Sequence, residues 1–125
     1  MSATSDESLP VLLNSIQTRM VSSQRELSTV QAQMKGRSRE ARVQELTMEQ
    51  LQKLGPETRL YKAIGKMFME QSYQDIMNEA QKRRDDALEE NKMLEKKVTF
   101  YEKEANEAQT HLQDLVKSLE NANTA

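Results

Sequence analysis

The feature that most constrains the fold of this chain is a long stretch without glycine or proline, from Lys66 to Ala125. Within it, heptad position d holds an apolar or aromatic residue in seven successive heptads: Ala80, Ala87, Leu94, Tyr101, Ala108, Leu115 and Ala122. A seven-residue repeat sustained over this length is typical of a coiled-coil helix. We expect this helix to begin at Ser72, which forms a capping pattern with Asp75, and to end near residue 120.

An earlier segment carries a similar heptad pattern. With position a at Leu13, three of the first four d positions are apolar, namely Leu9, Ile16 and Val30, and the pattern then fades after Met34. These residues predict a first coiled-coil helix, and two long amphipathic helices joined by a short reversal should pair antiparallel.

Proline, glycine and capping residues set the expected limits of the first helix. Pro10 lies where a helix can begin, and Gly55-Pro56 is the strongest stop signal in the chain. The run Thr47-Met48-Glu49-Gln50 has the form of a capping box. We therefore expect a break in the first helix and a short separate helix near residues 46–54.

Two short segments, residues 59–64 and 67–71, are rich in aromatic and branched side chains and flank Gly65-Lys66. Glycine at the first central position suits a two-residue type II′ turn, so one interpretation is a β-hairpin. The other is that the second helix simply begins earlier, because Met and Glu favour helices. Two thin helices cannot bury the apolar side chains of a hairpin, so a hairpin here is predicted to pair with those of other chains.

Composition excludes several classes of protein. There is no Cys and only one His, His111, so neither a disulfide framework nor a multi-His zinc site is expected. The longest apolar run has three residues, and the N-terminus is polar and acidic, so neither a membrane span nor a signal peptide is expected. The net charge of -2 argues against a nucleic-acid binder. No phosphate-binding loop or catalytic motif appears, so we expect no catalytic residue, no cofactor and no metal.

A basic stretch lies near the middle of the chain and contains Lys35, Arg37, Arg39 and Arg42. One interpretation is a solvated helix face, and the other is contact with an acidic partner. The predicted segments are a disordered tail over 1–8, a first coiled-coil helix over 9–54, a linker and hairpin over 55–71, a second coiled-coil helix over 72–120 and a flexible tail over 121–125.

The stretch from Glu57 to Phe68 resembles the hairpin of a β-class prefoldin subunit. The resemblance is most specific at Glu57-Thr58, Tyr61, Gly65 and Met67-Phe68, and the helix–hairpin–helix order extends it over almost the whole chain. It implies a mainly helical fold: a long antiparallel two-helix coiled coil joined by a single β-hairpin, with hairpins assembling into an intersubunit β-barrel.

The same resemblance implies a function. Prefoldins are cytoplasmic, ATP-independent co-chaperones in which two α-class and four β-class subunits form a hetero-hexamer. The coiled-coil tips hold unfolded proteins, notably actin and tubulin, and pass them to the cytosolic chaperonin. Carried onto this chain, the oligomer interface comprises Leu60, Tyr61, Ile64, Gly65, Met67, Phe68 and Met69. The client-binding tip comprises Leu9, Val11, Leu12, Leu115, Val116 and Leu119.

Two other functions compete with this one. Apolar residues at helix ends also pack locally, so the residues at the tip can have a purely structural role. In that case the chain would be a structural coiled-coil adaptor, which tethers two partners without binding unfolded clients. A nucleic-acid-binding dimer would need a basic segment at a helix end, which the chain lacks. The hairpin separates the first two functions, because a simple adaptor needs neither a sheet nor hetero-oligomeric assembly.

Overall fold

The computed structural model describes the backbone of residues 2–124 and the side chains of residues 8–123. The element order is α1 (Ser2–Leu54), β1 (Leu60–Ile64), β2 (Met67–Gln71) and α2 (Tyr73–Thr124). The predicted fold class, two long helices joined by a single β-hairpin, is therefore confirmed.

The chain forms two compact units. The hairpin unit is Gln33–Met93, and the terminal unit is the described part of Met1–Ala32 together with that of Leu94–Ala125. Each unit contains one segment of α1 and one segment of α2, so each has its own helix pair.

Local hydrogen bonds explain where the two helices meet the hairpin. Gly55 has a φ of 87° and donates its N–H to the Leu51 carbonyl oxygen at 3.1 Å, which ends α1 with a left-handed residue. At the start of α2, the Ser72 hydroxyl accepts the Asp75 N–H at 3.1 Å, as an N-cap residue does. Both boundaries were predicted from the sequence.

The expected break near residues 46–54 is wrong, because α1 continues without interruption to Leu54. The Thr47 hydroxyl does not cap a new helix; it donates to the Val43 carbonyl oxygen one turn earlier, at 2.8 Å. The heptad register also resumes, since Ala41, Gln44 and Leu51 are all buried. Seam packing therefore keeps this segment in the same helix.

The tails that the sequence predicted over 1–8 and 121–125 also differ from the structure. The first helix extends back to Ser2, with Pro10 inside it, and the second extends to Thr124. Residues 1 and 125 lie outside the described part of the chain. Between residues 2 and 9 no glycine or proline interrupts the helix, and α2 contains neither residue.

The core of the terminal unit follows the predicted heptads. On α1, the d residues Ile16, Ser23 and Val30 are buried, and on α2 Ala108 is completely buried. At the flank of this seam, a guanidinium nitrogen of Arg19 lies 2.9 Å from a Glu104 carboxylate oxygen. The ion pair is solvent-exposed, so burial of the seam supplies most of the stabilisation.

The core of the hairpin unit combines buried Leu51 with small and polar side chains. Ala80 and Ala87 are buried on α2, opposite a face of α1 that includes buried Gln44. The Asn91 amide occupies an a position and donates to the Ser38 hydroxyl at 2.9 Å, while its own oxygen has no hydrogen-bond partner among the described residues. A polar a residue of this kind favours one register at a cost in stability.

Candidate functional site

The two strands of the hairpin pair antiparallel with Ile64 opposite Met67 and Leu60 opposite Gln71. The connection is a two-residue turn in which φ is positive, at 61°, only at Gly65. A positive φ at the first central position alone is the dihedral pattern of a type II′ turn, and it suits the twist of a hairpin. Gly65 therefore shapes the turn that orients the two strands.

The apolar side chains of the hairpin are exposed to solvent. Over half of the surface is exposed for each of the following residues: Tyr61 (56%), Ile64 (51%), Met67 (71%), Phe68 (73%) and Met69 (55%). Leu60, which the resemblance placed in the same interface, is half-buried. These five large apolar residues lie on both faces of the hairpin, Tyr61 and Phe68 on one face and Ile64, Met67 and Met69 on the other. We call the five residues together the hairpin patch.

A polar cluster connects the hairpin to α2. The Lys62 ammonium lies 2.7 Å from a Glu79 carboxylate oxygen, and an Arg83 guanidinium nitrogen lies 3.0 Å from the same oxygen. The hydrogen bond from Lys62 lowers the pKa of Glu79, partial burial opposes the shift, and the charges of Lys62 and Arg83 add to the lowering. The cluster thus holds the hairpin on α2 with Glu79 ionised.

The residues expected at the tip all lie in the terminal unit and fall into two groups. Val11 (70%), Leu12 (42%) and Val116 (42%) are exposed. Leu9, Leu115 and Leu119 are half-buried along the helix seam. On α2, Val116 lines a shallow groove with Leu112, Gln113, Lys117 and Glu120. The three exposed residues are those that the sequence placed off the seam.

Comparison with known proteins now adds to this geometry. The family model described as "Prefoldin subunit" matches residues 14–119, which is most of the chain. This chain belongs to the prefoldin family. Prefoldin subunits are components of a chaperone, and membership of the family implies oligomerisation with other prefoldin subunits.

Individual prefoldin relatives agree with the family match. The chain is 30% identical over 108 residues to the probable prefoldin subunit 1 of Schizosaccharomyces pombe, covering 86% of this chain and 96% of the relative. It is 30% identical over 121 residues to prefoldin subunit 1 of Danio rerio, covering 94% and 97%. The resemblance proposed from the hairpin residues is therefore confirmed.

A solved prefoldin structure shares the fold. The crystal structure of the prefoldin beta subunit from Thermococcus strain KS-1 superposes with a TM-score of 0.54 at 15% sequence identity. The match covers 89% of this chain and 91% of the archaeal chain. Fold similarity at this low identity supports the architecture and says nothing about individual side chains.

Sequence reasoning missed two features of this prefoldin chain. The first is the polar cluster of Lys62, Glu79 and Arg83, which joins residues far apart in the chain. The second is a set of exposed apolar residues on α1, Val43 (48%), Leu46 (41%) and Leu54 (58%). Their positions in the sequence place them on one side of the helix, which was enough to identify them. The heptad pattern passed over them because they lie off the seam.

Other kinds of site find no support in the described residues. Between residues 2 and 124, no helix has a stretch apolar enough to cross a membrane. Among the described side chains, residues 8–123, no group of three or more His, Asp or Glu is arranged to hold a metal ion.

Proposed function

We propose that this chain is a subunit of a cytoplasmic, hetero-hexameric prefoldin that acts as an ATP-independent holdase. In this function the hexamer captures unfolded proteins, including actin and tubulin, at its coiled-coil tips and delivers them to the cytosolic chaperonin. The observation that carries the proposal is the exposed hairpin patch on a two-helix chain of the prefoldin family.

Assembly through the hairpin follows from the stability of small sheets. A two-stranded hairpin is marginally stable in water, and each strand here has one edge of unpaired backbone groups. The start of β1 and the end of β2, with Leu60, Lys62 and Gln71, are half-buried against their own chain, whereas nothing in the described part of the chain covers the hairpin patch. Pairing with the hairpins of other prefoldin subunits into a β-barrel would satisfy the edges and bury the patch together.

Client capture follows from the exposed residues of the terminal unit. Unfolded proteins expose scattered apolar groups, which Val11, Leu12 and Val116 can contact without a deep pocket. Each contact is weak, but several subunits that engage one client together raise the avidity. Weak individual contacts also allow release without ATP hydrolysis.

Phe68 is the residue that best tests assembly, because 73% of its surface is exposed on the hairpin. We expect Phe68→Lys to abolish assembly and to preserve the fold of the chain, since Lys is tolerated at strand edges and Glu70 lies on the same face. The matched control is Phe100→Lys, which changes an exposed Phe (57%) on α2 and should assemble normally.

The measurement is native mass spectrometry of the tagged chain, purified gently from its own cells. We expect the native chain and the Phe100→Lys variant each to be purified within a complex of six small coiled-coil chains. We expect no such complex with the Phe68→Lys variant. A homodimer, or one stoichiometric partner of another kind, would contradict the proposal and favour a coiled-coil adaptor.

A further inference from the structure

One apolar surface of the hairpin unit has no role in the function proposed above. Val43, Leu46, Gln50 and Leu54 follow one another at spacings of three and four residues, so they lie on one side of α1. We call these four residues the outer row. Three of the four are large apolar residues with 41–58% of their surface exposed.

The outer row faces away from the helix pair. The seam side of the same segment holds Ala41, Gln44 and Leu51, which are buried. Val43, Leu46 and Gln50 also line a shallow groove that reaches towards Leu51. The row is therefore a second apolar side of α1, in addition to the side that packs inside the chain.

We propose that the outer row is an extension of the subunit interface, covered by a helix of the neighbouring prefoldin subunit. The inference rests on the proposed assembly through the hairpin. It adds a helix-to-helix contact, on named residues of α1, to the contact between hairpins.

Continuity with the hairpin supports a neighbouring subunit as the occupant. Leu54 is the last residue of α1, and only the turn around Gly55 and five residues in all separate it from β1. A subunit whose hairpin pairs with this one is held beside the outer row. Its helix therefore meets the row at a high local concentration, which makes even a small contact effective.

The size of the row also points to an added contact rather than a separate partner. Stable protein interfaces bury about 1,200–2,000 Å² in total, and three partly exposed aliphatic side chains contribute only a small part of that area. The row alone is too small to hold an independent protein. As an extension of a hairpin interface, the row adds to the area that the hairpins bury, so it does not have to reach about 1,200 Å² by itself.

The charge of Arg39 indicates one group that the facing helix should carry. Arg39 continues the outer row one turn earlier, and it forms no ion pair within the described residues. A carboxylate on the neighbouring helix would complement it. This chain's own α2 shows that a prefoldin helix can supply such groups, because Asp85, Asp86 and Glu89 are exposed there. We therefore expect the helix of the adjacent subunit to cover the row with apolar side chains and to place a carboxylate beside Arg39.

The experiment compares Val43→Glu with Val21→Glu in the hexamer reconstituted by co-expression with its partner subunits. Val43 and Val21 are matched, since both lie on α1 with 48% and 49% of their surface exposed. A glutamate at position 43 places a charge in a contact that would otherwise bury an apolar group. We expect subunits with Val43→Glu to exchange between hexamers about tenfold faster than native subunits do. Subunits with Val21→Glu should exchange at the native rate.

A second measurement introduces no charge into the contact. A photo-reactive amino acid at Leu46 should cross-link to a neighbouring prefoldin subunit in the assembled complex, whereas the same group at Val21 should not. The mapped cross-links are expected on a helix of the neighbour, near the end that joins its hairpin.

The possible results separate this inference from the proposed function. If Phe68→Lys abolishes assembly but Val43→Glu exchanges like Val21→Glu and Leu46 gives no subunit cross-link, the outer row is not an interface and the hairpin assembly stands. Normal assembly of Phe68→Lys would overturn the proposed hairpin interface itself. Cross-links from Leu46 to a bound client instead of a subunit would likewise overturn the inference.

Discussion

At the scale of single residues, the ion pair of Lys62 with Glu79 joins the hairpin to α2. Its two side chains are 37% and 32% exposed, more sheltered than those of another pair at the hairpin, Arg59 with Glu70, which are 80% and 58% exposed at 4.0 Å. Exposed ion pairs contribute little, about 0–1 kcal/mol. The sheltered pair should therefore be the one with a measurable effect.

The pair gives a pH dependence whose direction follows from the lowered pKa of Glu79. A carboxyl with a lowered pKa in the folded state stabilises it fully above its ordinary value, about 4.5 here, and loses that contribution as the pH falls through the lowered pKa. We expect a double-mutant cycle with Lys62→Met and Glu79→Gln to give a coupling of about 0.5 kcal/mol at neutral pH. Thermal unfolding of the native chain, the two single variants and the double variant at neutral and acid pH measures it.

The control for this prediction is the same cycle on Arg59 and Glu70, whose atoms are farther apart and more exposed. That cycle should show no coupling at either pH. A Lys62–Glu79 coupling that is unchanged in acid would mean that the ionised carboxylate does not hold the hairpin.

Residues with a local structural role could be predicted from the sequence, whereas residue pairs distant in the chain could not. Gly55, Gly65 and Ser72 act through their own backbone angles or through atoms within four residues, so their neighbours in the sequence suffice to identify them. The contact of Lys62 with Glu79 depends on how the hairpin folds back on α2. No periodicity within one element contains that information.

At the scale of elements, α1 shows how packing overrides a local signal. The run from Thr47 to Gln50 matches a capping box, but the same four residues continue a heptad seam that buries Leu51. Burial of seam side chains outweighs one cap of about 1 kcal/mol. The prediction of a break was wrong because it weighed the capping residues without the seam beyond them.

The role of Thr47 can be tested by the sign of a stability change. As a cap, Thr47 would stabilise its helix, and Thr47→Ala would cost about 1 kcal/mol. Within a continuous helix its hydroxyl bonds to the Val43 carbonyl, and Ala is the better helix former. We therefore expect Thr47→Ala to raise the free energy of unfolding by about 0.5 kcal/mol. Heat denaturation followed by helical circular dichroism is the measurement.

Ser72→Ala is the matched control, because Ser72 does cap a helix through the Asp75 N–H. It should lower the free energy of unfolding by about 1 kcal/mol. Destabilisation by Thr47→Ala of the same size as by Ser72→Ala would restore the predicted break.

The hairpin could be predicted from the sequence only in part. Its turn could be read from Gly65, but residues 67–71 suit a helix as well as a strand, so propensity left the element undecided. The antiparallel register with Ile64 opposite Met67 resolves the ambiguity through pairing, which a single segment cannot encode. The resemblance to prefoldin hairpins supplied what local propensity could not.

At the scale of the whole molecule, the arrangement separates two kinds of exposed apolar surface. The hairpin patch belongs to the hairpin unit, and the exposed residues Val11, Leu12 and Val116 belong to the terminal unit. Heptad spacing placed Val11, Leu12 and Val116 off the helix seam, and all three are exposed, but Val43, Leu46 and Leu54 were not identified from it. It could not predict what covers them, because that depends on other chains.

The separation predicts that client binding can be lost without loss of assembly. In the hexamer, changing Val11 and Leu12 to Ser removes two exposed apolar groups from the terminal unit and leaves the hairpin patch intact. We expect the double variant to assemble normally and to suppress the aggregation of unfolded actin several-fold less well, since several weak contacts act together. Native mass spectrometry measures the assembly, and light scattering measures aggregation.

Val21→Ser is the control for this prediction, because Val21 is an exposed valine (49%) on α1 in the same unit as Val11. It should suppress aggregation as well as the native chain does. If the Val11 and Leu12 variant kept full activity, the exposed start of α1 would serve local packing, and client contact would have to be assigned to other residues. Equal losses in the variant and the control would instead indicate a diffuse apolar surface along α1, since avidity would then depend on the total exposed area and not on the tip.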